Sequence, residues 1–349
     1  LKGTIIRKAG LFLSLREGIV LGILCVPLLA AAGVDVANIH LGGHARVVML
    51  ATGAPAFGIV VHALIRLFLG GRFGGDLARD LGSVGGHADT APYRFAILGD
   101  TGHRPERMAR TADAIAQRMQ SAPLDGIWIV GDFLGRGRSL DKAVSLRVRQ
   151  PFQKIIRSGV PLLCALGNHD HGRPFTAKAI RDPLFNMESL RYYSRTFGDN
   201  LVTFFVLDST QMPNDPAQAQ WLLRAVHRSK SRWKVLLLHH PLRSSNAGHG
   251  PSPFRLSVLK RAIEGPGGVQ LVISGHNHLY ERAIARRGVV HIVAGSASIC
   301  TRRDPPPDNN RAFVHAKDLV HLLLEVVPER MSLRAVTSDG VEVDSYRFE

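Results

Sequence analysis

Apolar positions in this chain follow two different patterns. From Tyr93 onward, short apolar runs of strand length alternate with stretches in which apolar residues recur every three or four positions. The short runs Tyr93–Leu98, Gly126–Val130, Val160–Leu166, Leu201–Leu207, Trp233–Leu238, Val269–Ile273, Val289–Val293, Leu319–Val326 and Ser332–Val336 predict strands. The three- and four-residue spacing predicts helices over Glu106–Gln120, Ala217–His227 and Pro253–Ala262. Strands interleaved with amphipathic helices predict an α/β domain whose helices cover the sheet faces. Thr301–Arg311, with Pro305, Pro306 and Pro307, reads as a polar loop, and no internal repeat is visible.

The first 92 residues read differently. Gly18–Val34 is an unbroken apolar run, and Val47–Leu69 is a second, interrupted only by His62 and Arg66. Each approaches the roughly 20 residues a helix needs to cross a bilayer. The pattern predicts a membrane-associated helical hairpin over 1–72, a Gly-rich linker over 73–92 and a catalytic domain over 93–349. Two alternatives stay open: a cleaved signal peptide (Lys2, Arg7, Lys8 and Arg16 ahead, Ala30–Ala32 behind) with one span, or two buried helices. The basic flanks of the runs place both ends of a hairpin, and with them the catalytic domain, on the cytoplasmic side of a membrane.

At 349 residues there is ample chain for one large core and a smaller appendage. A formal net charge of +16 suits an anionic partner: a phosphorylated substrate, nucleic acid or an acidic membrane surface. Against nucleic acid, aromatic residues are only 7% of the chain and are not interleaved with basic runs, which is thin for stacking single strands. Cys25, Cys164 and Cys300 form no zinc spacing and no disulfide framework.

Five short segments at the ends of strand-like runs carry metal-ligand residue types. They are Gly99-Asp100-Thr101-Gly102, Gly131-Asp132, Gly167-Asn168-His169-Asp170, His239-His240-Pro241 and Gly275-His276-Asn277-His278. Carboxylate, amide and imidazole ligands suit two hydrolytic cations held about 3.5–4 Å apart, which activate water near neutral pH and neutralise phosphoryl charge. Loops at the carboxyl ends of strands suit the task because the sheet fixes their positions.

These segments resemble those of the calcineurin-like metallophosphoesterases, in particular the purple-acid-phosphatase-like branch with its GDxG, GDxxY, GNH[DE], VxxH and GHxH pattern. The likeness spans roughly Tyr93–Ala297 and is extended by Leu279-Tyr280-Glu281-Arg282 after the last motif. It implies a four-layer αββα sandwich and hydrolysis of phosphate esters, monoesters ahead of diesters, with metal-bound hydroxide as nucleophile at two divalent ions (Mn, Fe or Zn). By position, Asp132 would bridge the metals, Asp100 and His278 would bind the first, and Asn168, His239 and His276 the second. His169 would meet the phosphate or protonate the leaving group, and His249 would be a general acid. His240 and Asp170 would act behind the ligands. Two departures stand out: Gly135 occupies the place of the branch's tyrosine, and Gly102 that of the histidine in the wider superfamily's Asp-x-His. Either departure leaves the first metal one ligand short, a gap that His103 or water would fill. Without a tyrosinate the protein should lack the purple charge-transfer band.

Expected partners are a phosphorylated small molecule or lipid, and a membrane. Nuclease or phosphodiesterase activity, hydrolysis of a lipid-linked (pyro)phosphate, and a degenerate membrane scaffold are the competing functions.

Overall fold

The computed structural model describes residues 80–84, 91–135, 139–172, 175–245, 253–283, 286–306 and 308–349. The predicted hairpin of residues 1–72 and His249 lie outside them. Among the described residues no helix is long and apolar enough to cross a membrane.

Two sheets stack face to face. One has six strands, in the order β14 (Glu342–Phe348), β13 (Arg330–Thr337), β12 (Val320–Val327), β2 (Tyr93–Leu98), β3 (Gly126–Val130) and β4 (Leu162–Ala165). The other has eight: β1 (Asp80–Val84), β5 (Tyr193–Phe197), β6 (Val202–Val206), β7 (Trp233–Leu237), β8 (Leu271–Ser274), β10 (Val290–Ala294), β9 (Tyr280–Ala283) and β11 (Arg311–His315). β2, β3 and β4 run parallel, as do β6, β7 and β8, and these strands are buried throughout or nearly so. Continuous apolar runs, rather than alternating ones, are what burial on both faces demands.

The aromatic core between the sheets locks them together. Phe95 of the six-stranded sheet meets Phe197 and Phe204 of the other edge-on, with ring centroids 4.8 and 4.9 Å apart, and Trp128 lies 4.7 Å from Phe204. Each such side chain, fully buried, stabilises the fold by about 1.5–3 kcal/mol. Helix α1 (Pro105–Met119) supplies Met108, Ala112 and Ile115 to this core. On the far side of the eight-stranded sheet, Trp221, Leu222 and Val226 of α5 (Ala217–Arg228) and Leu259 and Ile263 of α6 (Pro253–Glu264) pack on Phe205, Leu236 and Val272. The mixed α/β sandwich matches the predicted class.

The structure adds elements the hydropathy pattern hid. Residues 80–84, read as linker, pair parallel to β5 as an edge strand, since an unpaired edge accepts any extended segment. Arg311, read as loop, opens β11. Between β3 and β4 the chain winds through α2 (Leu140–Val144), a π-turn (Ser145–Arg149) and α3 (Gln153–Arg157). A short α4 (Phe175–Ala179) follows β4.

Candidate metal centre

The loops after β2, β3, β4, β7 and β8 all open at the same end of the two sheets, and four of them are stitched together by hydrogen bonds between backbone groups. Asp100 N–H donates to Gly131 O (3.1 Å), Gly102 N–H to Asp132 O (2.8 Å), and Gly275 N–H to His239 O (2.9 Å). Asp100, Asp132 and His276 sit at φ of 58°, 53° and 71°. This left-handed region is uncommon for residues with a side chain and clusters at sites that the surrounding structure over-determines.

Each candidate carboxylate uses one oxygen for the backbone and leaves the other facing histidines. Asp132 Oδ1 accepts from His169 N–H (2.8 Å), while Oδ2 faces Nε2 of His239 (3.4 Å), His103 (3.8 Å) and His169 (3.8 Å). Asp100 Oδ2 accepts from His276 N–H (2.7 Å), while Oδ1 faces Nε2 of His278 (3.5 Å) and His103 (3.8 Å). Asp100 is fully buried, and its Oδ1 has no hydrogen-bond partner. An orphaned, buried carboxylate oxygen is costly unless a cation answers it.

A second group of donors makes the same point. His239 Nδ1 lies 3.0 Å from Val130 O, a contact that needs the ring proton on Nδ1 and leaves Nε2 as a lone pair. That Nε2 faces Asn168 Oδ1 at 3.0 Å and His276 Nδ1 at 3.3 Å. An imidazole lone pair this close to an amide oxygen requires either an added proton or a shared cation. Burial opposes a charge on His239, but the Asp132 and Asp100 carboxylates outweigh it and push its pKa up to about 9. For Asp132, burial likewise opposes ionisation. The charge on His239 and the contacts with His103, His239 and the His169 N–H overcome it and hold the carboxyl below the usual range. The donor set therefore fits divalent cations, and two groups of ligand atoms lie within 4.8 Å of one another: Asp100, His103 and His278, and Asp100, Asp132 and His239.

Of the remaining sequence-nominated residues, the described ones, Asp170 and His240, fall around this centre. Buried Asp170 accepts from the N–H groups of Asp132 (2.8 Å), Leu134 (2.9 Å) and Gly167 (2.8 Å), clamping the loops after β3 and β4 together. His240 Nδ1 is 2.9 Å from Ser209 Oγ, and its ring lies 4.5 Å from that of His276. Two residues have roles here that the sequence reading did not give them. Glu281, buried in β9, accepts from Ser244 Oγ (2.8 Å) and Ser245 N–H (2.8 Å), and Ser244 Oγ in turn accepts from the side chain of Asn277 (2.7 Å). It thereby anchors the chain leaving β7 beside His276 and His278. In the sequence it stood out only as part of the stretch that follows the last motif. Arg147, from the π-turn, hydrogen-bonds Gly102 O, and no local pattern announces that contact.

The family profile described as calcineurin-like phosphoesterase matches residues 93–280. A phosphoenolpyruvate phosphatase of Allium cepa is 26% identical over 243 residues, covering 64% of this chain and 47% of that protein. Purple acid phosphatase 15 of Arabidopsis thaliana is 28% identical over 226 residues, covering 55% of this chain and 41% of its own length. The chain spans less than half the length of the curated relatives it matches. Among solved structures, Plasmodium GAP50, the anchor in the inner membrane complex, superposes with a TM-score of 0.63 at 18% identity, covering 74% of this chain and 89% of that one. At that identity the likeness is one of fold.

Proposed function

Because this chain belongs to the calcineurin-like phosphoesterase family, with the purple acid phosphatases as its relatives, we propose that it hydrolyses phosphate monoesters at a two-metal centre. The observation that carries the reading is the convergence of free carboxylate oxygens and imidazole nitrogens on the buried Asp100 and Asp132. Asp132 would be shared by two divalent ions (Mn, Fe(II) or Zn), with Asp100 and His278 serving the first and Asn168, His239 and His276 the second. When bound, such ions bring a water's pKa near neutrality and neutralise charge on phosphoryl oxygens.

The protein's own groups do the rest. Backbone N–H donors hold one oxygen of each carboxylate, so that the other stays aimed at the centre. His169, partly exposed beside Asp132, would meet the phosphate or pass a proton to the departing oxygen, and His249, four residues after Ser245 in the sequence, would serve as general acid. The two apolar runs of the first 72 residues tether the domain to a membrane, with the domain on the cytoplasmic side and small phosphorylated molecules or phosphorylated lipids within reach; their charge flanks support that orientation.

The name of Plasmodium GAP50 favours one other reading, a phosphoesterase fold kept as an anchor. Asp132→Ala separates the two. In an enzyme it abolishes turnover and lowers metal content together; a variant that still turns over would remove Asp132 from the centre.

A further inference from the structure

Resting on the two-metal reading, we infer that His103 is a ligand of the first metal, one residue beyond the place where an Asp-x-His pattern would put it. Two glycines explain the shift. A side chain at Gly102 is excluded, because its Cβ would lie 2.6 Å from Phe133 O, on a backbone tied to Asp132 O. Gly135, at φ +62°, stands where a tyrosine would approach from the other loop. That positive φ strains any side chain there, and the Arg147 guanidinium, hydrogen-bonded to Gly102 O, occupies the place its Cβ would take. Fixed backbone thus closes one customary direction for a further ligand, and backbone strain disfavours the other.

His103 fills the gap. It follows Gly102 directly and precedes Arg104 and Pro105, which cap and begin α1, so the rigid start of a helix fixes its backbone. Its ring lies 4.7 Å from that of His278 and 5.4 Å from that of His169. Its Nε2 is shielded from solvent, has no hydrogen-bond partner, and stands 3.8 Å from both Asp100 Oδ1 and Asp132 Oδ2. That separation is too long for a hydrogen bond. It is close to the roughly 3–4 Å between neighbouring donors of one cation bound at about 2.0–2.2 Å. The first site then reads Asp100, Asp132, His103 and His278. It contains no phenolate, so any metal pair it holds lacks the phenolate-to-metal absorption that gives purple acid phosphatases their colour.

The test uses the full chain, stripped with chelator, reloaded with Co(II) and read by metal analysis and visible absorption, so that it does not depend on turnover. Wild type should bind two equivalents. His103→Ala should keep one, with the other weakened roughly 100-fold or more and its share of the d–d absorption lost. Two equivalents with the wild-type spectrum in His103→Ala would overturn the inference and leave the two-metal reading standing, whereas a wild type that binds none would overturn that reading itself. Should the variant fail to fold, X-ray absorption on the Zn-loaded wild type decides the matter: an average of two histidine nitrogens per metal supports His103, and one and a half excludes it.

Discussion

Replacing Asp170 with alanine attacks the centre without touching a proposed ligand. Its carboxylate accepts three buried backbone N–H groups, from Asp132, Leu134 and Gly167, at 2.8–2.9 Å. Alanine leaves all three unpaired in a site where the removed side chain was wholly buried. Each unsatisfied buried donor costs about 1–3 kcal/mol; water entering the cavity, and relief of a carboxylate charge buried beside Asp132, recover part of that, so the loss should be about 2–4 kcal/mol. For a domain whose whole stability is about 5–15 kcal/mol, this is a large fraction. Two of the donors flank Asp132 and Asn168, so the loops should separate and metal affinity should fall along with stability. Urea unfolding of the chelated protein, followed by metal content after reloading, measures both. The experiment belongs near pH 8, above the value of about 7 to which burial, then the Asp132 charge, raise the Asp170 carboxyl. A variant that loses less than about 1 kcal/mol and still loads metal would refute the clamp.

Two further expectations concern the centre's surroundings. In chelated protein, His239 is raised from 6.5 to about 9 in the folded state, so its contribution to stability is fully present below pH 6.5 and is lost as pH rises through 9. Thermal midpoints of chelated protein should fall across that window and metal loading should release a proton, which calorimetry in buffers of different ionisation enthalpy detects; no proton release would show that His239 is neutral before the metal arrives. Glu281→Ala should free Ser244 and Ser245, slow turnover by roughly tenfold or more, and leave metal content near wild type, since it displaces the chain leaving β7 and no ligand. Loss of metal in that variant would place Glu281 nearer the metals than its contacts do.

The sandwich and the loops that meet at the candidate centre were legible for the same reason. Strands buried on both faces must be apolar throughout, so Phe95–Leu98, Gly126–Val130 and Trp233–Leu237 declare themselves, and Asp, Asn and His immediately after them stand out as groups with no place in a core. What lay hidden depends on contacts distant in sequence. Arg147 reaches the Gly102 carbonyl across 45 residues through a π-turn, and the reason for glycine at 102, a Cβ that would lie 2.6 Å from Phe133 O, appears only in the fold. The edge strand Asp80–Val84 has no apolar alternation of its own and is strand only because β5 offers it an edge. Glu281 looked like part of a motif, whereas its work is to hold Ser244 and Ser245.

The most direct test of the central claim is hydrolysis of an aryl phosphate by the full chain, compared with a bis-aryl phosphate, after chelation and readdition of Mn, Fe(II) or Zn singly. The two-metal account predicts no turnover when stripped, recovery with at least one divalent ion, and faster cleavage of the monoester. A folded chain that binds these ions and cleaves neither substrate, or one that cleaves them equally well with chelator present, would contradict it.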